Sequence, residues 1–141
     1  MKTSSTLLAG AALALLSACS GLQLHPSSPS DVTVHFVGIG GHTQFCTADG
    51  RYATEEFKDN GYRSIKLPVG KLITLWSSMS FAGYNVTSSC APALAFMPVE
   101  GKQYVVNAGL VNGKCFIEMV REDASVESGV VFDTSVQKPS C

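Results

Sequence analysis

Asp49, Glu55, Glu56 and Asp59 put four carboxylates within a short stretch of chain. Two carboxylates facing each other across a glycosidic bond can hydrolyse it. Here they fall on a hairpin and a polar turn, where acidic side chains mostly serve solvation. His42 and Cys46 stand four residues apart and offer two zinc donors. No second close pair completes a tetrahedral set, so no metal site is expected. The run Gly38-Ile39-Gly40-Gly41 could turn backbone amides toward an anion; it reads more simply as a wide turn between strands. Ser, His and Asp occur, but not in a G-x-S-x-G setting. His35 sits opposite Val34 and Phe36 in an alternating run and is expected at a solvated or interfacial place. No catalytic residue, metal or cofactor is therefore expected.

The segment from Trp76 to Tyr84 holds the single Trp beside Met79, Phe81 and Tyr84, among Ser and Gly residues. Aromatic anchors set among small polar residues are the composition of binding loops. Trp76, Met79, Phe81 and Tyr84 form the candidate binding loop. The competing expectation is that Trp76 ends a core strand and packs inside.

The chain has 141 residues, enough for one domain. Ten basic and eleven acidic residues leave a net charge of −1. A nucleic-acid binder would show a basic face or stripe, and none is visible. Phosphate-cradling loops are absent too.

The beginning of the chain has three parts. Met1 to Thr6 carries one positive charge, Leu7 to Leu16 is apolar, and Ser17-Ala18-Cys19 is small. This is the build of a secretory signal peptide. The apolar run is too short to span a bilayer, which takes about 20 residues. Leu16-Ser17-Ala18-Cys19 resembles the lipobox of bacterial lipoproteins. The resemblance implies cleavage before Cys19, a diacylglycerol thioether on its sulfur, and a further acyl chain such as palmitate on its new amino group. Ser20 resembles the residue that lets such proteins pass to the outer membrane of Gram-negative cells. The expected anchor is thus lipid on Cys19 in the outer membrane, with the domain on the periplasmic side.

An exported protein meets an oxidising compartment. The four cysteines that remain, Cys46, Cys90, Cys115 and Cys141, are expected in two disulfides. Three pairings are open. Cys90 and Cys115 flank the strand pair between Ala93 and Val111, which points to Cys90–Cys115 and leaves Cys46–Cys141. No C-x-x-C spacing suggests a redox role.

These residues need a scaffold, and the chain divides into three parts. Residues 1–18 are the signal peptide, 19–30 the lipidated cysteine and a Ser/Pro tether, and 31–141 the domain. The tether lacks an apolar face and is expected to stay unfolded, with His25 a solvated linker residue. Fully stretched, residues 20–30 reach at most roughly 36–40 Å. The domain reads as strands and turns. Val32, Val34 and Phe36 alternate with polar neighbours. Asp49-Gly50 and Asn112-Gly113 are hairpin signals. Strands are expected at 43–47, 51–54, 62–67, 72–76, 81–86, 94–97, 103–111, 114–120 and 130–132. One or two helical turns are expected within 54–60. An all-β fold follows, a small antiparallel β-sandwich with two disulfides.

Leu67-Pro68-Val69-Gly70-Lys71 and Met97-Pro98-Val99-Glu100-Gly101-Lys102 echo each other before apolar strands. This turn resembles those of transthyretin-like envelope domains. In size and anchoring the chain is similar to the transthyretin-like outer-membrane lipoproteins of type VI secretion systems. The expectation is a non-enzymatic binding or assembly module of the cell envelope with a protein partner. One alternative is an inhibitor of a lysozyme-like enzyme, using the Trp76–Tyr84 segment. The other is a glycan enzyme using the acidic cluster.

Overall fold

Alternating sequences with turns every few residues bury one face per strand, and two such faces must cover each other. The computed structural model describes residues 22–38 and 41–141. The signal peptide, the lipobox, Cys19, and Ile39 and Gly40 of the Gly-rich run lie outside them.

The described residues form twelve strands and no helix. In chain order they are β1 (Gln23–Leu24), β2 (Val32–Gly38), β3 (His42–Thr47), β4 (Gly50–Ala53), β5 (Glu56–Asp59), β6 (Tyr62–Leu67), β7 (Ile73–Ala82), β8 (Thr87–Cys90), β9 (Ala93–Phe96), β10 (Gln103–Val111), β11 (Lys114–Glu122) and β12 (Val130–Phe132). They build a sandwich of two sheets. The first runs β1-β4-β3-β7-β8, with β9 also paired to β7. The second runs β12-β11-β10-β2-β6-β5.

The expected antiparallel arrangement holds for most pairs, but not all. β2 pairs β10 in parallel, as β1 does β4. Parallel neighbours need a long crossover. Here strands β3 to β9 lie between β2 and β10 in sequence and include five of the six strands that make the first sheet. The crossover is thus mostly the opposite layer of the sandwich.

The core lies between the layers. Phe45, Ile73, Leu75, Leu94 and Phe96 from the first sheet meet Val34, Phe36, Ile65, Leu67, Tyr104, Val106 and Met119 from the second. Phe96 and Tyr104 meet across the layers with ring centroids 5.2 Å apart. Tyr104 is wholly buried, and its hydroxyl accepts a hydrogen bond from the Val99 amide at 3.0 Å. Burial raises its phenol pKa, and the Val99 bond partly opposes this.

Three local expectations are corrected. Residues 56–59 form a strand, not helical turns. Asn60 and Gly61 take positive φ of 49° and 83°, the geometry of a two-residue hairpin turn, so β5 folds back onto β6. The turn between β3 and β4 is Ala48-Asp49, one residue earlier than Asp49-Gly50, because Thr47 pairs Gly50. The described part of the tether is not free. β1 lies along β4, and the His25 amide donates to the Ala53 carbonyl at 3.2 Å. The His25 ring meets Phe45 edge-on at 5.3 Å and Tyr52 at 5.9 Å, and its Nε2 lies 3.2 Å from the buried Asp31 carboxylate. Composition described the segment as solvated; one imidazole with two aromatic neighbours and an acid was enough to dock it.

Both disulfides form in the expected pairing. Cys46–Cys141 and Cys90–Cys115 have Cα–Cα distances of 6.3 and 6.5 Å.

Candidate functional site

Strand β7 runs without a break from Ile73 to Ala82, where sequence suggested a strand followed by a loop. Its alternation sorts the candidate loop residues onto different faces. Ile73, Leu75, Ser77 and Met79 are buried on the inner face. Phe81 continues that inner row and is half-buried. Trp76 is half-buried on the outer face. Tyr84 lies in the turn to β8 and is 96 % exposed. The four aromatic and Met side chains therefore do not form one surface. A strand of period two cannot present residues 76, 79, 81 and 84 together.

The distal half of β7 forms an arm. Ser78 pairs His42, and beyond it, among the described residues, β7 pairs β8 alone. The Gly83 amide donates to the Val86 carbonyl at 2.7 Å and closes the turn. Asn85 takes a positive φ there. Val86 is 67 % exposed, and Thr87, Ser88 and Ser89 are exposed too. The base of the arm is stapled: Cys90 stands opposite Met79 on β7, Cys115 opposite Leu110 on β10, and their disulfide joins β8 to β11 across the two sheets. Residues 72 to 99, which hold the whole arm, contain no Asp, Glu, Lys, Arg or His. That uncharged run, within which the aromatic cluster lies, is the sequence signal for the arm.

The outer face of the first sheet carries a second feature. Trp76 lies between Gln44 on β3 and Ala93 on β9, each directly opposite it. The Arg51 guanidinium stands 5.8 Å from the centroid of the indole. The segment Gln137–Cys141 runs along this sheet. Gln137 and Ala95 exchange two backbone hydrogen bonds, at 2.8 and 3.1 Å. The Ser140 amide donates to Thr74 Oγ1 at 3.1 Å, and Cys141 is bonded to Cys46. A depression of about 250 Å³ opens beside Trp76. A wider one of about 620 Å³ lies on the other side of Cys141, with Lys71 and Asp49 on its wall. The Asp49 carboxylate holds the Lys71 ammonium above its ordinary pKa.

The remaining candidates do not converge. Asp49 pairs with Lys71 at the end of the first sheet, while Glu56 pairs with Arg63 in the second at 2.6 Å. Glu56 and Asp59 both lie on β5, three residues apart, and so on opposite faces. Cys46 is held in a disulfide, and three residues of extended chain separate it from His42. Among the described residues, no group of three or more His, Cys, Asp or Glu could hold a metal ion.

His35 departs from expectation: it is only 4 % exposed, although it lies on the outer face of the second sheet. Its Nδ1 shares a hydrogen bond with Ser64 Oγ at 2.8 Å, and its Nε2 one with Gln103 Oε1 at 3.3 Å. Asp59 Oδ2 stands 4.0 Å from Nε2, and the Tyr62 ring lies against the imidazole at 5.7 Å. A serine, a histidine and an aspartate thus meet, from positions that no local motif links. Ser64 is wholly buried, so no substrate reaches its oxygen. The group ties β2, β5, β6 and β10 together and satisfies a buried polar ring.

No protein-family model, no curated protein and no solved structure matches the chain.

Proposed function

We propose that the chain is a lipid-anchored, non-enzymatic binding or assembly module of the bacterial cell envelope, and that the β7–β8 arm contacts its protein partner. The observation that carries this reading is the arm. It is uncharged along its whole length, exposed at Tyr84 and Val86, and fixed at its base by a disulfide. Tyr, Ser, Asn and Gly supply contact area and adaptable hydrogen bonds at low entropic cost. A stapled base lowers that cost further.

The anchoring part of the reading rests on the lipobox resemblance, and the docked tether gives it a geometric consequence. From Cys19 to Gln23 the chain reaches at most about 14 Å. Lipid on Cys19 would therefore hold the β1 edge of the first sheet near the membrane. β8 is the opposite edge, four strand spacings away, or about 19 Å. The arm would face away from the bilayer, toward a partner.

The test is site-specific photo-crosslinking in the cells that make the protein. A photoreactive amino acid at Tyr84 should give a discrete crosslinked product, and the same group at Ser125 should not. Equal labelling at both, or none at Tyr84, removes the arm as the contact. Intact mass of the membrane-extracted chain tests the anchor: acyl mass on a chain that starts at Cys19 supports it.

A second reading, inhibition of a lysozyme-like enzyme, is favoured by the same projecting tip, which suits insertion into a cleft. It predicts stoichiometric loss of lysozyme turnover, relieved by Tyr84→Ala. No effect across lysozyme classes would sink it.

A further inference from the structure

We propose that the outer face of the first sheet binds an acidic saccharide, with a sugar ring on Trp76 and its carboxylate on Arg51. The site is separate from the arm and does not depend on what the arm contacts.

The register builds it. Ala53, Gln44, Trp76 and Ala93 stand side by side on β4, β3, β7 and β9, all pointing outward. Ala93 is too small to cover its side of the indole. Gln44 brings a primary amide to the other side, and the Ser78 hydroxyl is the next outward group along β7. An apolar plate edged by an amide and a hydroxyl matches a pyranose, which has an apolar C–H face and a rim of hydroxyls. A purely apolar guest would leave the amide and the guanidinium without partners, at a desolvation cost.

Charge narrows the class. The strands β1, β3, β4, β7, β8 and β9 contain no Asp or Glu, and neither does 137–141. Arg51 and Lys138 are the cations of this face. Among the described residues Arg51 makes no ion pair; its guanidinium stands over the indole, 5.8 Å from the centroid, and a carboxylate would draw it off the ring and free that face for the sugar. An otherwise slightly acidic chain thus offers one uncompensated cation beside its single Trp. A guanidinium fork suits a carboxylate.

The wall of the depression is preformed. Pro139 and Cys141 line it, and the Gln137–Ala95 and Ser140–Thr74 hydrogen bonds and the Cys46–Cys141 disulfide hold that segment in place. About 250 Å³ is small for a drug-sized ligand and suits a single ring.

Trp76 is the only Trp, so its emission reports this site directly. The experiment titrates the detergent-extracted full-length chain with N-acetylmuramic acid, glucuronic acid, N-acetylglucosamine and lactate. The acidic sugars should change the emission saturably, binding about five- to tenfold more tightly than N-acetylglucosamine. Lactate, a carboxylate without a ring, should have no effect. Binding of one acidic sugar alone supports the site and identifies its source, wall glycan for the muramic acid or a uronic-acid polymer for the other. Arg51→Gln should bring the acidic-to-neutral ratio to about one, whereas Lys114→Gln on the other sheet should not change it. Ala93→Leu should abolish binding of every sugar while the circular dichroism spectrum stays unchanged. The proposal is overturned if no sugar gives a saturable change, if lactate alone reproduces it, or if the acid preference survives Arg51→Gln.

Discussion

Removing the two disulfides one at a time should cost different amounts of stability, and the order is set by topology. Cys46–Cys141 closes a loop with a sequence separation of 95, and Cys90–Cys115 one of 25. In the chain-entropy account a crosslink acts on the unfolded state, and its effect grows with the logarithm of loop length. At 25 °C these separations give about 4.7 and about 3.5 kcal/mol, a difference of about 1.2 kcal/mol. Packing does not separate the two pairs, because Cys46 is fully buried but its partner Cys141 is exposed, while Cys90 and Cys115 are both half-buried. The assay is urea unfolding of Cys46→Ala/Cys141→Ala and Cys90→Ala/Cys115→Ala, followed by circular dichroism without reductant. The first pair should show the lower midpoint and also the larger rise in slope, since its unfolded chain gains more exposed surface. If loss of Cys90–Cys115 costs as much or more, loop entropy does not govern the staples. The arm's base would then be making native-state contacts worth more than the longer loop.

Three further outcomes follow from local chemistry. Burial raises the folded pKa of Tyr104, so above the ordinary phenol value near 10 the folded state holds a proton that the unfolded state has lost. Stability from this residue is present below that pH and falls as pH rises through it; Tyr104→Phe should remove that part of the alkaline loss, as read by thermal melts between pH 8 and 11. Gly113 sits at a φ of 73° in the β10–β11 turn, and Gly113→Ala should cost about 1 kcal/mol in urea midpoints. His25→Ala removes the ring that meets Phe45, Tyr52 and Asp31, and should expose residues 22–30 to limited proteolysis while the core stays resistant.

Most of the fold was legible because strands and turns write themselves locally. β10 and β12 occupy the expected residues, and Asn112-Gly113 makes the expected turn, since both depend on neighbours in sequence. What was missed depends on partners far away. The parallel pairing of β2 with β10 has no local signature, because either strand could have been met from either direction. The Thr54–Asn60 segment holds a single apolar residue, Phe57, so no period could be read from it. Its Asn60-Gly61 turn carries the same dipeptide signal as Asn112-Gly113 and is legible in the sequence. His25 looked solvated because Ser and Pro surround it; the rings that hold it come from β3 and β4.

The site was less legible than the fold for a related reason. Composition can gather Trp76, Met79, Phe81 and Tyr84 into one cluster, but it does not carry the phase of the strand. Once β7 continues through Ser77 and Ser78, parity alone sends Met79 inward and Trp76 outward, and the turn is left with Tyr84. The same parity makes a signal of what is absent. An edge hairpin in water usually carries charges that discourage association, and no charge occurs between Lys71 and Glu100. Sheet edges elsewhere in the molecule are blunted: β5 carries Glu56, Lys58 and Asp59, β1 spans two residues and β12 three. β8 has none of these protections, although it is held firmly by Cys90. An unguarded edge on a rigid staple is the arrangement expected where association is the purpose, and crosslinking at Tyr84 would register that association.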